Sequence, residues 1–454
     1  MNLTGLYKDN IDNLINTGIE CRCGKTHKTD IKEILIGQEA LVKIPTIIRK
    51  YGGSKAFIIA DKNTYEAAGE TVCKYLENEN LSFSLYVYDS ERTEPDETAV
   101  GKAVMHYDGE CDFIAGIGSG TINDIGKIVA KVTGKPYMIV ATAPSMDGYA
   151  SATSSMIRNG IKVSLDSVCP DVIVADLDVI CNAPGILLQA GIGDMLAKYI
   201  SICEWRISHL ITGEYYCEEI ASLVRHAVKK CMNIDNLYDT NPNTIKPVIE
   251  GLIVTGIAMS FAGLSRPASG MEHYFSHLWD MRSLEFNTPS AYHGIQCGVA
   301  TLLCLRIYEF ICSIIPDRKK ALDYVRSFSA EEWNQFLAGF LGRSAESLIE
   351  LEKREGKYDV KSHAKRLDII INNWDAILKI ISEELPPLKQ VEGFMKKIGM
   401  ATRPKEIGLS DDDVKKAFPA TKDIRDKYIG SRLLWDLGYL DEAVNELKSE
   451  RIFN

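Results

Sequence analysis

Residues 112–130, DFIAGIGSGTINDIGKIVA, read in one pass as a strand, a turn of small residues and a helix. Asp112 to Ala115 is a short apolar run, Gly116, Gly118, Ser119 and Gly120 crowd the turn, and Ile122 to Val132 repeats its apolar residues at helical spacing. Small residues let backbone approach a diphosphate closely, and the start of the following helix offers unpaired N–H groups and a positive dipole end to an anion. The turn therefore predicts a phosphate cradle. It fits neither standard fingerprint: GxGxxG requires glycine where Thr121 stands, and a GxxxxGK loop requires one residue fewer between Gly120 and Lys127, with a hydroxyl after the lysine.

Working outward from this turn, short apolar segments alternate with helical patterns from about residue 52 to 178, which is the signature of βαβ units and a parallel sheet. The expected strands are Ala56 to Ala60, Ser84 to Tyr88, Asp112 to Ala115, Tyr137 to Ala141 and Val172 to Ala175, with helices such as Thr64 to Glu77 and Ile122 to Val132 between them. In such a sheet, ligands gather at the carboxyl ends of the strands. Two further strand ends carry suitable residues. Asp61 closes AFIIAD, where a carboxylate accepts hydrogen bonds from ribose hydroxyls, although a helix N-cap is an equal reading of the same aspartate. After YMIVA comes TAPSMDGYAS (142–151), a hydroxyl-rich turn with one acid, Asp147.

Beyond residue 182 the pattern becomes helical, with runs Met195 to Leu210, Glu218 to Met232, Lys246 to Leu264 and Ile295 to Ile315. Residues 344–363 read as exposed helix or an insertion, and a helical tail is expected to reach Asn454. The expectation is an α/β Rossmann-like domain over 1–180, including an N-terminal extension 1–50, an all-α domain over 181–454, and an active site in the cleft between them.

The stretch SRPASGMEHYFSHLWDMRSLEFNTPSAYHG (265–294) holds His273, His277 and His293, three of the eight histidines. Neutral imidazole is the commonest ligand for borderline divalent metals, and a catalytic centre needs three protein ligands with one position open. His273 and His277 are one helical turn apart, without an HExxH signature, so a satisfied core pair is an equal reading. Asp194, in AGIGDMLAK (190–198), is the best candidate for a further ligand.

The 454 residues are 46% hydrophobic and suffice for a large core, and a formal charge of −10 without a basic block argues against nucleic acid and anionic membranes. The longest nearly continuous apolar run, Gly251 to Leu264, is 14 residues and reads as a buried helix, so no membrane span is expected. The first residues contain no secretory h-region, and twelve scattered cysteines suit a reducing compartment, so the expected location is the cytoplasm. One cluster stands apart, CRCGKTH (21–27), three soft ligands in seven residues; its spacing is not that of a standard finger and no fourth ligand is visible, so it reads as a surface loop before a structural metal site.

Four phrases together, GSGTINDIGK (118–127), TAPSMDGYAS (142–151), AGIGDMLAK (190–198) and SRPASGMEH (265–273) with the later YHG (292–294), resemble the bacterial sn-glycerol-1-phosphate dehydrogenases. These lie within the iron-dependent alcohol dehydrogenase and dehydroquinate synthase-like superfamily. The likeness spans most of residues 50–300; beyond about 310 it adds only IRDKYIGSRLLWDLG (424–438). The resemblance implies a divalent metal, zinc or nickel before iron, on Asp194, His273 and His293. It implies NAD(H) or NADP(H) on Asp61, Gly118, Ser119, Gly120, Thr121, Ile122, Thr142, Ala143, Pro144, Ser145 and Ser151, and a phosphorylated triose against Asp147, Asp194 and His277. Catalytic roles fall to Asp194, His277 and Asp147, and a homodimer or higher homo-oligomer is the family expectation. Arg266, Lys198 and Lys162 are candidates for the substrate phosphate. One departure matters: iron alcohol dehydrogenases place a histidine four residues after the aspartate ligand, where this chain has Lys198. A glycerol or polyol dehydrogenase, a dehydroquinate synthase-like enzyme and a nicotinamide-binding regulator are the rival readings.

Overall fold

A computed structural model describes residues 2–15, 18–90, 93–233 and 240–447. Two compact units emerge: residues 1–195 with 218–265, and residues 196–217 with 266–454.

The first unit is built on a six-stranded sheet, β1 (Glu33–Gly37), β2 (Lys55–Asp61), β3 (Ser82–Tyr88), β4 (Phe113–Gly118), β5 (Tyr137–Ala141) and β6 (Val172–Asp176), in the order β1-β6-β5-β4-β2-β3. Every pairing is parallel. The central strands are apolar on both faces, and β4, β5 and β6 are buried along their whole length, as a sheet covered on both sides demands. The chain leaves β2 toward β3 at one edge and leaves β4 toward β5 in the opposite direction. The strand order thus reverses between β2 and β4, and the crevice outside their carboxyl ends is where such sheets bind ligands.

The helix α1 (Gly120–Thr133) packs on the sheet because two glycines admit it. A Cβ on Gly116 would lie 2.6 Å from the Tyr137 hydroxyl, and one on Gly126 would collide with the same ring, which stands between strand and helix. The expected strands are all present with bounds shifted by up to three residues, and two features exceed the expectation: β1 extends the sheet, and a hairpin of Thr153–Arg158 with Ile161–Asp166 occupies the connection between β5 and β6. The expected helix from Thr64 is a composite, with Lys62–Thr64 and Glu70–Asn78 flanking a π-turn at Tyr65–Gly69.

The expected helix Met195 to Leu210 begins on the last two residues of α2 (Gly185–Leu196) and otherwise falls on α3 (Lys198–Thr212). The unit with the sheet also holds α4 (Glu218–Met232) and α5 (Pro242–Ala262), which pack on each other. In the second unit, α6 (Met271–Phe286) packs on α7 (His293–Cys312), followed by a succession of shorter helices from Arg318 to Glu446. The expected helical tail beyond residue 447 lies outside the described residues.

Counting continuous apolar residues understated three segments. Residues 185–212, 242–262 and 293–312 are long and apolar enough to cross a bilayer by length and composition, yet 72–78% of each apolar window is buried inside the protein. Their hydrophobicity is already used in packing.

Candidate active site

In the first unit the strand ends behave as a single construction. The hydroxyls of Ser119 and Ser145 are 2.6 Å apart, and the Thr142 N–H donates to the Gly118 carbonyl, so the turn after β4 and the turn after β5 are tied. Gly118 is obligatory: a Cβ there would stand 2.6 Å from that of Ile122. Asn123 donates to the Gly148 carbonyl, and buried Lys127 donates to the Thr153 and Gly148 carbonyls, so this lysine staples the cradle rather than reaching toward a phosphate. The Tyr149 hydroxyl donates to the Ala143 carbonyl, and the Ser151 hydroxyl donates within its own turn to Thr153. Gly118, Ser119, Gly120, Thr121, Ile122, Thr142, Ala143, Pro144, Ser145 and Ser151 thus share one frame of turns and the start of α1. Asp61 lies at the end of β2, but its carboxylate accepts from the Thr64 N–H while the Thr64 hydroxyl accepts from the Asp61 N–H, a reciprocal cap of the next helix.

The Asp147 turn is gripped by two helices. A Cβ on Gly191 of α2 would collide with the Pro144 carbonyl oxygen, and one on Gly256 of α5 would lie 2.7 Å from the Ala150 Cβ. This close approach places Asp194, also on α2 and fully buried, so that its Oδ2 accepts the Asp147 N–H at 3.0 Å. Gly191→Ala is expected to destabilise the protein by about 1–3 kcal/mol, the scale of overpacking against rigid structure, as read by chemical denaturation. A variant as stable as wild type would contradict the close approach.

The second unit gathers the three imidazoles. Ring centroids of His273 and His293 are 5.1 Å apart, His277 and His293 5.8 Å, and His273 and His277 6.3 Å. Their tautomers follow from their neighbours. Glu272 Oε1 accepts from His273 Nδ1 at 2.8 Å, with both side chains buried, so Nε2 is the nitrogen that carries the lone pair. Ser276 donates its hydroxyl hydrogen to Gln296 at 2.6 Å, so toward His293 Nδ1, 2.9 Å away, it acts as acceptor, which again puts the lone pair on Nε2. A carboxylate or hydroxyl behind each imidazole is the arrangement that orients metal-binding histidines.

Sequence reasoning missed Glu272 and Cys297. The Cys297 thiol lies 3.6 Å from His293 Nε2, and the ligating atoms of His273, His293 and Cys297 fall within 4.8 Å of one another. Burial pushes this thiol up, but the His273 and His293 imidazoles outweigh it and bring it to about 7. The signal was available, since Cys297 follows His293 by one helical turn.

The loop leading into α6 is anchored by three basic side chains. Arg266 donates through Nε and Nη2 to the Glu214 carboxylate and through Nη1 to the Tyr428 carbonyl, while Lys198 and Lys427 donate to the carbonyls of Ala268 and Ser269. Arg266 is thereby committed to the fold; Lys162 lies on the Ile161–Asp166 strand of the hairpin.

A family profile described as iron-containing alcohol dehydrogenase matches residues 35–184. The glycerol-1-phosphate dehydrogenase (NAD(P)+) of Geobacillus thermodenitrificans is 28% identical over 403 residues, covering 88% of this chain and 91% of its own. That of Halalkalibacterium halodurans is 33% identical over 295 residues, covering 64% and 74%. Among solved structures, a glycerol dehydrogenase from Schizosaccharomyces pombe matches with a TM-score of 0.59 over 93% of this chain and 92% of that one; at 15% identity this likeness concerns the fold.

Proposed function

The chain belongs to the glycerol-1-phosphate dehydrogenase family and is an oxidoreductase, and from that premise we propose that it reduces dihydroxyacetone phosphate with NADH or NADPH to sn-glycerol 1-phosphate, reversibly. A single divalent cation held by Asp194, His273 and His293 is part of the proposal, zinc or nickel before iron. The observation that carries it is the pair of imidazoles whose Nδ1 atoms are engaged by Glu272 and Ser276, a donor set that fits a borderline metal. When bound, the cation supplies Lewis-acid stabilisation of the negative charge that develops on the carbonyl oxygen.

The chain's own groups do the rest. The Gly118 to Ile122 turn and the Thr142 to Ser145 turn take the dinucleotide at the point where the strand order reverses, with Asp61 and Ser151 beside them. Asp61 favours NADH. Asp147 holds a substrate hydroxyl, and His277, beside the other two imidazoles, delivers the proton to the alkoxide oxygen. Lys198 in place of a fourth ligand histidine favours a three-ligand centre over an iron alcohol dehydrogenase. The proposal also takes the enzyme to be cytoplasmic and homodimeric.

Oxidation of NADH and NADPH with dihydroxyacetone phosphate, set against dihydroxyacetone and followed by chiral analysis of the product, tests the reading. A marked preference for the phosphorylated ketone and an sn-1 product are expected; equal rates with dihydroxyacetone, or an sn-3 product, would overturn it. His277→Ala is expected to lower kcat by about 10²–10⁴-fold, the usual weight of a general acid, and to remove one limb of the pH profile while leaving metal content unchanged. Unchanged kcat and pH profile would remove His277 from the reaction.

A further inference from the structure

The CRCGKTH segment is not a plain surface loop. It forms a minimal hairpin in which Ile19–Glu20 pairs with Thr26–His27, the Cys21 N–H donates to the Lys25 carbonyl, and Gly24, at φ +86°, makes the turn that folds Cys23 back. His27 is fully buried in the first unit. Its Nδ1 lies 3.2 Å from the Phe261 carbonyl, to which it donates, and its ring stacks on that of Phe261. The carbonyl is an acceptor only, so the lone pair of Nε2 points the other way, where Cys23 Sγ lies at 3.5 Å. The ligating atoms of Cys21, Cys23 and His27 all fall within 4.8 Å of one another.

The distance decides what the group suits. A tetrahedral zinc ion has Zn–S of about 2.3 Å and Zn–N of about 2.0 Å, which separates the sulfur and nitrogen by about 3.5 Å. The Cys23–His27 pair stands at that spacing, Cys21 Sγ lies within 4.8 Å of both, and the imidazole is fixed from behind by a carbonyl, which together form the two-shell pattern of a structural metal ligand set. We propose that Cys21, Cys23 and His27 bind a zinc-type divalent cation, distinct from the one assigned to the dehydrogenase reaction, which clips the N-terminal hairpin onto α5 through His27. One position of the tetrahedron takes a further donor.

The test is spectroscopic and independent of turnover. Reduced, metal-stripped full-length protein is titrated with cobalt(II) and then zinc(II), following thiolate-to-cobalt charge-transfer absorption. The expected result is a charge-transfer band that saturates at one cobalt per chain for this site, is bleached by zinc, persists in Cys297→Ala and is lost in Cys21→Ser/Cys23→Ser. The double variant should bind one zinc fewer per chain by elemental analysis while still oxidising NADH with its ketone substrate. A thiolate band absent from the wild-type protein, or lost in Cys297→Ala and kept in the double variant, would overturn the proposal whatever the outcome of the substrate assays. His27→Gln serves as a milder single variant; it is expected to weaken cobalt binding at least tenfold, and unchanged binding would count against the set.

Discussion

Replacement of His273 by alanine is expected to lower turnover by at least about a thousandfold while leaving the helical circular dichroism intact. The magnitude follows from the role assigned to the cation, since Lewis-acid stabilisation of several kcal/mol translates at about 1.4 kcal/mol per decade of rate. His293→Ala should behave alike, because the two rings lie 5.1 Å apart with their Nδ1 atoms both engaged from behind. The check is steady-state turnover at saturating ketone, together with the nickel or zinc content of the purified variant. A variant with lost metal and intact turnover would contradict the assignment.

Glu272→Gln is expected to lower metal affinity by about 10–100-fold, as loss of a carboxylate behind a ligating histidine does elsewhere, without weakening the fold. The second half of that expectation comes from its neighbour. Glu204, fully buried, is pushed up to about 7, first by burial and then by the charge of Glu272, despite accepting hydrogen bonds from the Gly430 and Met271 N–H groups. Glu272 Oε2 finds no hydrogen-bond partner among the described residues. Two crowded carboxylates therefore become one when Gln replaces Glu. The sign is definite: a folded-state value above the unfolded one means that the Glu204 contribution is fully present below the unfolded value and is lost as pH rises through about 7. Removing the Glu272 charge should flatten the fall in melting temperature over that window. Competition with a metal indicator and thermal melts across the pH range measure both effects. Unchanged metal affinity, or a melting profile as steep as wild type, would count against the arrangement.

The sheet was legible because its central strands are apolar on both faces and end in turns that only small residues can make; Tyr137 against Gly116 and Gly126 shows the packing that those glycines permit. What escaped did so for physical reasons. β1 buries only one residue fully and gives a weak signal. The Thr153–Asp166 hairpin alternates polar residues, although Asn159-Gly160, both at positive φ, marks its turn. The two helices α2 and α3 share one unbroken helical pattern, and their break at Ala197 carries no glycine or proline.

In the site, the histidines were legible as residues but not as tautomers. Neither Glu272 nor Ser276 announces itself in sequence, since each acts through a hydrogen bond that only the packing of α6 on α7 creates. Asp61 shows the opposite limit: the cap and the ribose contact are equally compatible with its position, and the structure shows the cap. CRCGKTH offered its ligands openly, but the burial of His27 depends on Phe261, far away in sequence.

The account rests on Asp194 and the two imidazoles serving the same cation. The most direct measurement is the metal dependence of NADH oxidation in Asp194→Asn, in metal-stripped protein titrated with nickel or zinc. The account predicts lost activity that returns, in part, only at metal concentrations at least about 100-fold above those saturating the wild type. Wild-type activity at wild-type metal concentrations, or full activity in wild-type protein stripped of all divalent ions, would contradict it.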